Sequence, residues 1–219
     1  MKESFAVIFD MDGVIFDTER LLLESWTPVA EAHDVHGIVE TLRSCIGRNE
    51  VSTREIIFER FGEDFPLDEY EEEVRAVFRE KAANGIPEKA GARELLAELA
   101  AARVPLALAS STREEVVRRE LAEAGLLQYF DAVIGGDRIE RGKPAPDIFL
   151  KAAELLGKRP EECFVIEDSP NGIRAAAAAG MTPLMVPDQL QPDEQIRALA
   201  HRVFDNLKQV QIYLRHASE

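Results

Sequence analysis

Two carboxylates two residues apart, Asp10 and Asp12, directly follow the apolar run Phe5-Ala6-Val7-Ile8-Phe9 and precede Gly13. Carboxylates sharing a pocket repel, so ionising both requires a cation or a division of labour in which one keeps a proton. The same residues also suit a solvated turn after a strand, because Asp and Gly are ordinary turn formers. Ser110 and Ser111, with Thr112, end a second apolar run, Val104 to Ala109, and precede a helical pattern. Hydroxyls and backbone N–H groups at such a place either prepare an anion site or simply cap the helix. Lys143 stands in Gly142-Lys143-Pro144-Ala145-Pro146, where two prolines restrict the backbone and present one ammonium from a stiff loop. Glu167 and Asp168 follow Cys163-Phe164-Val165-Ile166 and lead into Ser169-Pro170, a helix start with proline at its first position. Capping by Asp168 or Ser169 is compatible with metal binding. Together with Asp10 these acids would make an oxygen-rich site suited to Mg²⁺.

The elements needed to position these groups are legible around them. Strand signals at 5–10, 104–109, 132–134, 163–167, 183–186 and 202–204 alternate with helical periodicity near 91–102, 114–124, 147–156, 171–179, 193–200 and 206–215. That alternation predicts an α/β fold with a Rossmann-like parallel sheet core, whose strand ends would bring all four stretches to one edge. Between the first strand and residue 87 only helical periodicity is found. Leu22, Trp26 and Val29 define one helical face, Ile56, Ile57 and Phe61 lie on a second helix over 50–61, and Leu67, Tyr70, Val74, Val77 and Phe78 define another. Glu71-Glu72-Glu73 reads as a solvated side. The pattern therefore predicts an inserted α-helical cap domain over 19–84, with 1–18 and 85–219 forming the core. Thr18 and Asn84-Gly85-Ile86-Pro87 are the expected hinge ends.

Composition narrows the partners. With Lys+Arg 26 against Asp+Glu 41, the net charge is −15, which disfavours nucleic acid and anionic membrane surfaces. The two cysteines, Cys45 and Cys163, lack metal-ligand spacing and read as reduced thiols of a cytoplasmic protein. There is no basic N-terminal region followed by a long apolar stretch, and no apolar segment of membrane-spanning length. His33, His36 and His201 have no evident partners in the sequence and are read as structural or surface residues.

Asp10-Met11-Asp12-Gly13-Val14 and Ile166-Glu167-Asp168-Ser169-Pro170-Asn171-Gly172-Ile173, with Ser110 and Lys143 between them, resemble the four motifs of the haloacid dehalogenase-like hydrolase superfamily, over roughly residues 5 to 205. The branch is the one that holds β-phosphoglucomutase and small-metabolite phosphatases. The resemblance implies that Asp10 is the nucleophile taking the phosphoryl group and Asp12 the acid/base. It implies that Ser110, Ser111 and Lys143 hold phosphate, and that Asp10, Asp12, Glu167 and Asp168 form a Mg²⁺ site, with Asp10, the main-chain carbonyl of Asp12 and Asp168 as direct ligands. Mg²⁺ and Lys143 would then supply the charge that lets a phosphate monoester sit among carboxylates. Specificity is expected in the cap loop at Gly47, Arg48 and Asn49, with Arg20 a weaker candidate.

The chain also departs from the mutase pattern. β-Phosphoglucomutases carry a histidine four residues after the threonine that Thr18 resembles, where this chain has Leu22. They carry a lysine just before the cap glycine and an arginine three residues after it, where it has Ile46 and Glu50. The expected activity is accordingly a Mg²⁺-dependent phosphatase acting on a small phosphorylated metabolite of the sugar or polyol phosphate class, as a monomer. A sugar phosphomutase is the alternative, and a catalytically silent binding or regulatory protein on the same fold is the alternative of another class. Asp12 speaks against a true dehalogenase, and a phosphonate hydrolase would want a cap lysine, for which Lys81 is the one available.

Overall fold

The computed structural model describes residues 5–45 and 50–217. In chain order the elements are β1 (Ala6–Phe9), α1 (Thr18–Ala32), α2 (Ile38–Cys45), α3 (Glu50–Phe61), α4 (Leu67–Lys81), α5 (Ala92–Ala101), β2 (Leu106–Ala109), α6 (Glu114–Glu123), β3 (Ala132–Ile134), α7 (Asp147–Leu156), β4 (Cys163–Glu167), α8 (Pro170–Ala178), β5 (Thr182–Met185), α9 (Glu194–Leu199), β6 (Arg202–Val203) and α10 (Leu207–Ala217). The strands form a six-stranded parallel sheet in the order β3-β2-β1-β4-β5-β6, a Rossmann-like arrangement. The chain runs outward from β1 to β3 and then returns to place β4 on the other side of β1. Ligands of open α/β sheets bind at such a reversal, beyond the carboxyl ends of the strands.

Register turns this topology into a site. Phe9 pairs with Leu108 on one side and Ile166 on the other. The residues one step further, Asp10, Ala109 and Glu167, therefore stand at one level along the carboxyl edge. The strands are apolar on both faces because both are covered. Ala6, Ile8, Ala107, Ala109, Cys163 and Val165 point to one face and pack with Ile148, Phe149 and Ala152 of α7 and Ala175 and Ala176 of α8. Val7, Phe9, Leu106, Leu108 and Ile166, of opposite parity, are equally buried. Cys163 and Cys45 are free and buried, and burial pushes the Cys163 thiol up to about 11.

Tertiary contacts divide the chain into two compact units, the first running up to Phe16 and resuming at Glu88, the second Asp17–Pro87. Phe16 belongs to the first because it bridges Asp12 and Glu88, and Lys89 N–H donates to Ile15 O at 2.8 Å. The second unit is helical, with Trp26, Val29, Ile38, Ile57, Leu67 and Val74 as its buried core. One face differs from expectation, since Leu22 is 45% exposed and Leu21 is buried instead, in a stripe with Ser25, Trp26 and Val29. The Ser25 hydroxyl is satisfied within the helix, donating to Leu21 O at 2.7 Å. Pro28 lies inside α1 and cannot donate to the carbonyl of Glu24. Lys81 Nζ donates to that carbonyl at 3.0 Å, so the lysine is engaged in holding α4 to α1. His33 pairs with Glu73 at 2.8 Å, His36 with Asp34 at 3.1 Å, and His201 with the Tyr213 hydroxyl at 2.8 Å.

Candidate active site

Each acid reaches the sheet edge for a local reason. Asp10 continues β1, its N–H donating to Ile166 O at 3.0 Å. The chain then turns back on itself, with the N–H groups of Ile15 and Phe16 both donating to Met11 O. Gly13 makes the turn at φ +79, a conformation that disfavours a side chain. A Cβ there would also lie 2.4 Å from Asp168 Oδ2, so the glycine lets the two loops meet. Asp168 directly follows β4, ahead of α8, whose N-cap is Ser169: its hydroxyl accepts from Gly172 N–H at 3.0 Å.

Lys143 is the centre of the arrangement. Its Nζ donates to Asp10 Oδ1 at 2.5 Å, to Glu167 Oε1 at 2.7 Å and to Ala109 O at 3.3 Å. The ammonium also lies 4.9 Å from the centre of the Phe149 ring, and the side chain is only 8% exposed. Glu167 is fully committed. Its Oε2 accepts from both the N–H and the hydroxyl of Ser169 at 2.9 Å, leaving its role one of holding Lys143. Burial pushes the Asp10 carboxyl up to about 8, with the charges of Glu167 and Asp12 adding to the rise and Lys143 opposing it. For Lys143 burial disfavours the charge, but Asp10 and Glu167 outweigh it and hold its pKa above the ordinary lysine range.

Hydroxyls flank Asp12. Thr112 Oγ1 donates to Asp12 Oδ2 at 3.3 Å, Ser110 Oγ makes a longer contact with the same atom at 3.5 Å, and Thr112 N–H donates to Ser110 Oγ at 3.0 Å. Ser110 is buried, whereas Ser111 is exposed and Thr112 occupies the place beside the acid. The first amide of α6, on Glu114, is capped from elsewhere, donating to Asp137 Oδ1 at 2.8 Å. Asp10, Asp12, Glu167 and Asp168 thus gather at one edge around a single ammonium. With both Glu167 oxygens engaged by Lys143 and Ser169, the oxygens of Asp10, Asp12 and Asp168 are the ones that fit a hard divalent cation.

Other expected residues lie apart. Gly47, Arg48 and Asn49 fall outside the described residues. Arg20 is tied to its own helix start by Asp17 Oδ2 at 2.5 Å and Glu24 Oε1 at 2.7 Å. Thr18 is the first residue of α1, and Asp17 N–H donates to Pro87 O at 2.8 Å, drawing the two connecting segments together. One residue had no signal in the sequence. Asp188, beyond β5, places a carboxylate oxygen within 4.8 Å of one from Asp168.

A six-stranded parallel sheet with acids, a lysine and hydroxyls on its carboxyl edge defines a Rossmann-like α/β protein with its candidate site where such sheets bind ligands, and the comparisons with known proteins make the assignment specific. Residues 6–180 match the haloacid dehalogenase-like hydrolase family, and the chain belongs to it. It is 35% identical over 176 residues to the phosphorylated carbohydrates phosphatase of Thermotoga maritima, covering 80% of this chain and 82% of that protein. A haloacid dehalogenase-family hydrolase of Deinococcus radiodurans, solved with bound phosphate and sodium, superposes with a TM-score of 0.82 at 29% identity, covering 99% of this chain and 97% of that one. A β-phosphoglucomutase of Clostridium difficile shares the fold with a TM-score of 0.73 at 24% identity, covering 100% of this chain and 97% of that one. Among the described residues no helix is long and apolar enough to cross a membrane.

Proposed function

We propose that this phosphoric monoester hydrolase is a Mg²⁺-dependent phosphatase of sugar or polyol phosphates that works through an aspartyl-phosphate on Asp10. The observation that carries the reading is the Lys143 ammonium shared between Asp10 and Glu167 at the carboxyl end of the central strand. Asp10 attacks phosphorus in line; its O–P bond forms as the bond to the leaving alkoxide breaks. Asp12, protonated at that stage, donates to the alkoxide, and in the second half it accepts a proton from the water that releases phosphate. Lys143 and the Ser110 hydroxyl hold the phosphoryl oxygens, with Thr112 orienting Asp12. Mg²⁺ bound by Asp10, the carbonyl of Asp12 and Asp168 would neutralise phosphoryl charge. Gly47, Arg48 and Asn49 are the candidates for contacting the rest of the substrate. The similarity to a phosphatase of phosphorylated carbohydrates supports the substrate class.

The test is a phosphate-release screen over sugar, polyol and nucleotide monophosphates and phosphoglycolate, with Mg²⁺ and with chelator, on the wild-type and Asp10→Asn proteins. Mg²⁺-dependent release that Asp10→Asn abolishes is expected. Undiminished turnover in chelator, or substantial turnover in Asp10→Asn with deamidation excluded, would overturn the mechanism. β-Glucose 1-phosphate with a catalytic amount of its 1,6-bisphosphate distinguishes the mutase: glucose 6-phosphate forming faster than free phosphate would reverse the assignment.

A further inference from the structure

Asp188 lies in the segment between β5 and α9, and Val186 N–H donates to Glu167 O at 2.8 Å, fastening the start of that segment to the end of β4. The Asp188 side chain is 8% exposed. Its Oδ1 accepts from Lys89 Nζ at 2.6 Å, while its Oδ2 is buried and has no hydrogen-bond partner. Lys89 is itself anchored through its main-chain bond to Ile15, in the turn that follows Asp10 and Asp12. The carboxylate that results is rigidly held, incompletely satisfied, and within 4.8 Å of a carboxylate oxygen of Asp168.

A buried acceptor without a donor costs free energy, and two carboxylates this close repel. A hydrated divalent cation beside Asp168 relieves both, because it offsets the repulsion and its water ligands are donors. We infer that Asp188 is an outer-sphere residue of the divalent-cation site, its second oxygen accepting from a cation-bound water while Lys89 occupies the first. The inference rests on the cation-dependent reading above. It adds a positioning residue contributed from 20 residues beyond Asp168, on a different loop.

Calorimetric titration with Mg²⁺ in the absence of substrate separates this role from that of a purely structural ion pair. Removing an outer-shell partner weakens metal binding by about 10–100-fold, so Asp188→Asn is expected to raise the Mg²⁺ dissociation constant by about tenfold. Lys89→Met, which removes the competing positive charge and keeps the carboxylate, is expected to bind Mg²⁺ at least as tightly as wild type. Equal weakening by both substitutions, or a change below threefold in Asp188→Asn, would overturn the inference and leave the pair as a strut. Failure of the wild-type protein to bind Mg²⁺ would overturn the cation-dependent reading instead, with the inference falling along with it. Should thermal melts show Asp188→Asn to be unfolded, Lys89→Met carries the test, and weakened Mg²⁺ binding by that variant overturns the inference.

Discussion

Gly172 lies inside α8 without a left-handed backbone, so replacing it with alanine should on helix propensity alone stabilise the protein by about 1 kcal/mol. The site predicts the opposite sign. A Cβ at this position would stand 1.7 Å from Glu167 Cδ, 1.8 Å from Oε1 and 2.2 Å from Oε2. Ordinary contact begins near 3.4 Å, so the carboxylate must retreat by more than about 1 Å. Its bonds to Lys143 at 2.7 Å and to Ser169 at 2.9 Å do not survive such a movement together. Breaking one side of a buried charge pair costs about 3–5 kcal/mol, and after the helix gain a net loss of about 2–4 kcal/mol remains. Misplacing a catalytic group by about 1 Å can cost about a hundredfold in rate, and Lys143 would lose one of its two carboxylate partners.

A double-mutant cycle isolates the cause. In an Glu167→Ala background the obstructing atoms are gone, so adding Gly172→Ala should be neutral or stabilising by about 1 kcal/mol. Urea unfolding followed by circular dichroism measures the stabilities, and hydrolysis of p-nitrophenyl phosphate measures the site. A Gly172→Ala protein as stable and as active as wild type would refute the reasoning, as would an equal loss in both backgrounds.

Lys143→Met should lower phosphatase activity by more than tenfold and destabilise the fold by about 3–5 kcal/mol, because it leaves Asp10 and Glu167 buried without their shared cation; parallel turnover and urea-unfolding measurements check both. Glu120 gives a stability signature in pH. Burial, with the charge of Asp12 adding, pushes its carboxyl up to about 6, so the folded protein keeps a proton that the unfolded chain has lost. Glu120 should therefore contribute a fall in stability as pH rises from about 4.5 through about 6, and Glu120→Gln should make the measured fall shallower by about 1 kcal/mol or less after solvent screening. Urea midpoints that change in parallel for both proteins across this range would contradict it.

What was legible in the sequence is what parallel-strand geometry makes local. An acid or hydroxyl directly after a buried strand must emerge at the sheet's carboxyl edge, and β1, β2 and β4 deliver Asp10, Ser110 and Glu167 there. The order of strands and helices likewise follows from periodicity. The missed features depend on pairings that spacing does not encode. Ser25 obscures the buried stripe of α1 because its hydroxyl is satisfied by the helix's own carbonyl, which left Leu22 looking like the core residue in place of Leu21. Of three consecutive hydroxyl residues, the turn chooses Thr112 over Ser111 as the neighbour of Asp12. The cap of α6 comes from Asp137, 23 residues past the amide it accepts from. Asp188 is held by a lysine 99 residues away, a partnership that only folding creates.

The same low-dielectric setting explains both the difficulty of this site and its strength. As the proposed nucleophile Asp10 must be an anion, yet burial and the neighbouring acids favour its protonated form. Every opposite charge placed beside it counts for more there than it would in water. Lys143 is such a charge, and Glu167 keeps it in place without competing for the phosphoryl group, because both Glu167 oxygens are already occupied. Glu167 thus trades local repulsion of Asp10 for a fixed ammonium. On a chain with net charge −15, an anionic substrate gains nothing from the long-range field. On the proposed mechanism recognition arises within a few ångströms of the sheet edge, where the ammonium is fixed before the substrate arrives and no reorganisation is needed as phosphoryl charge develops.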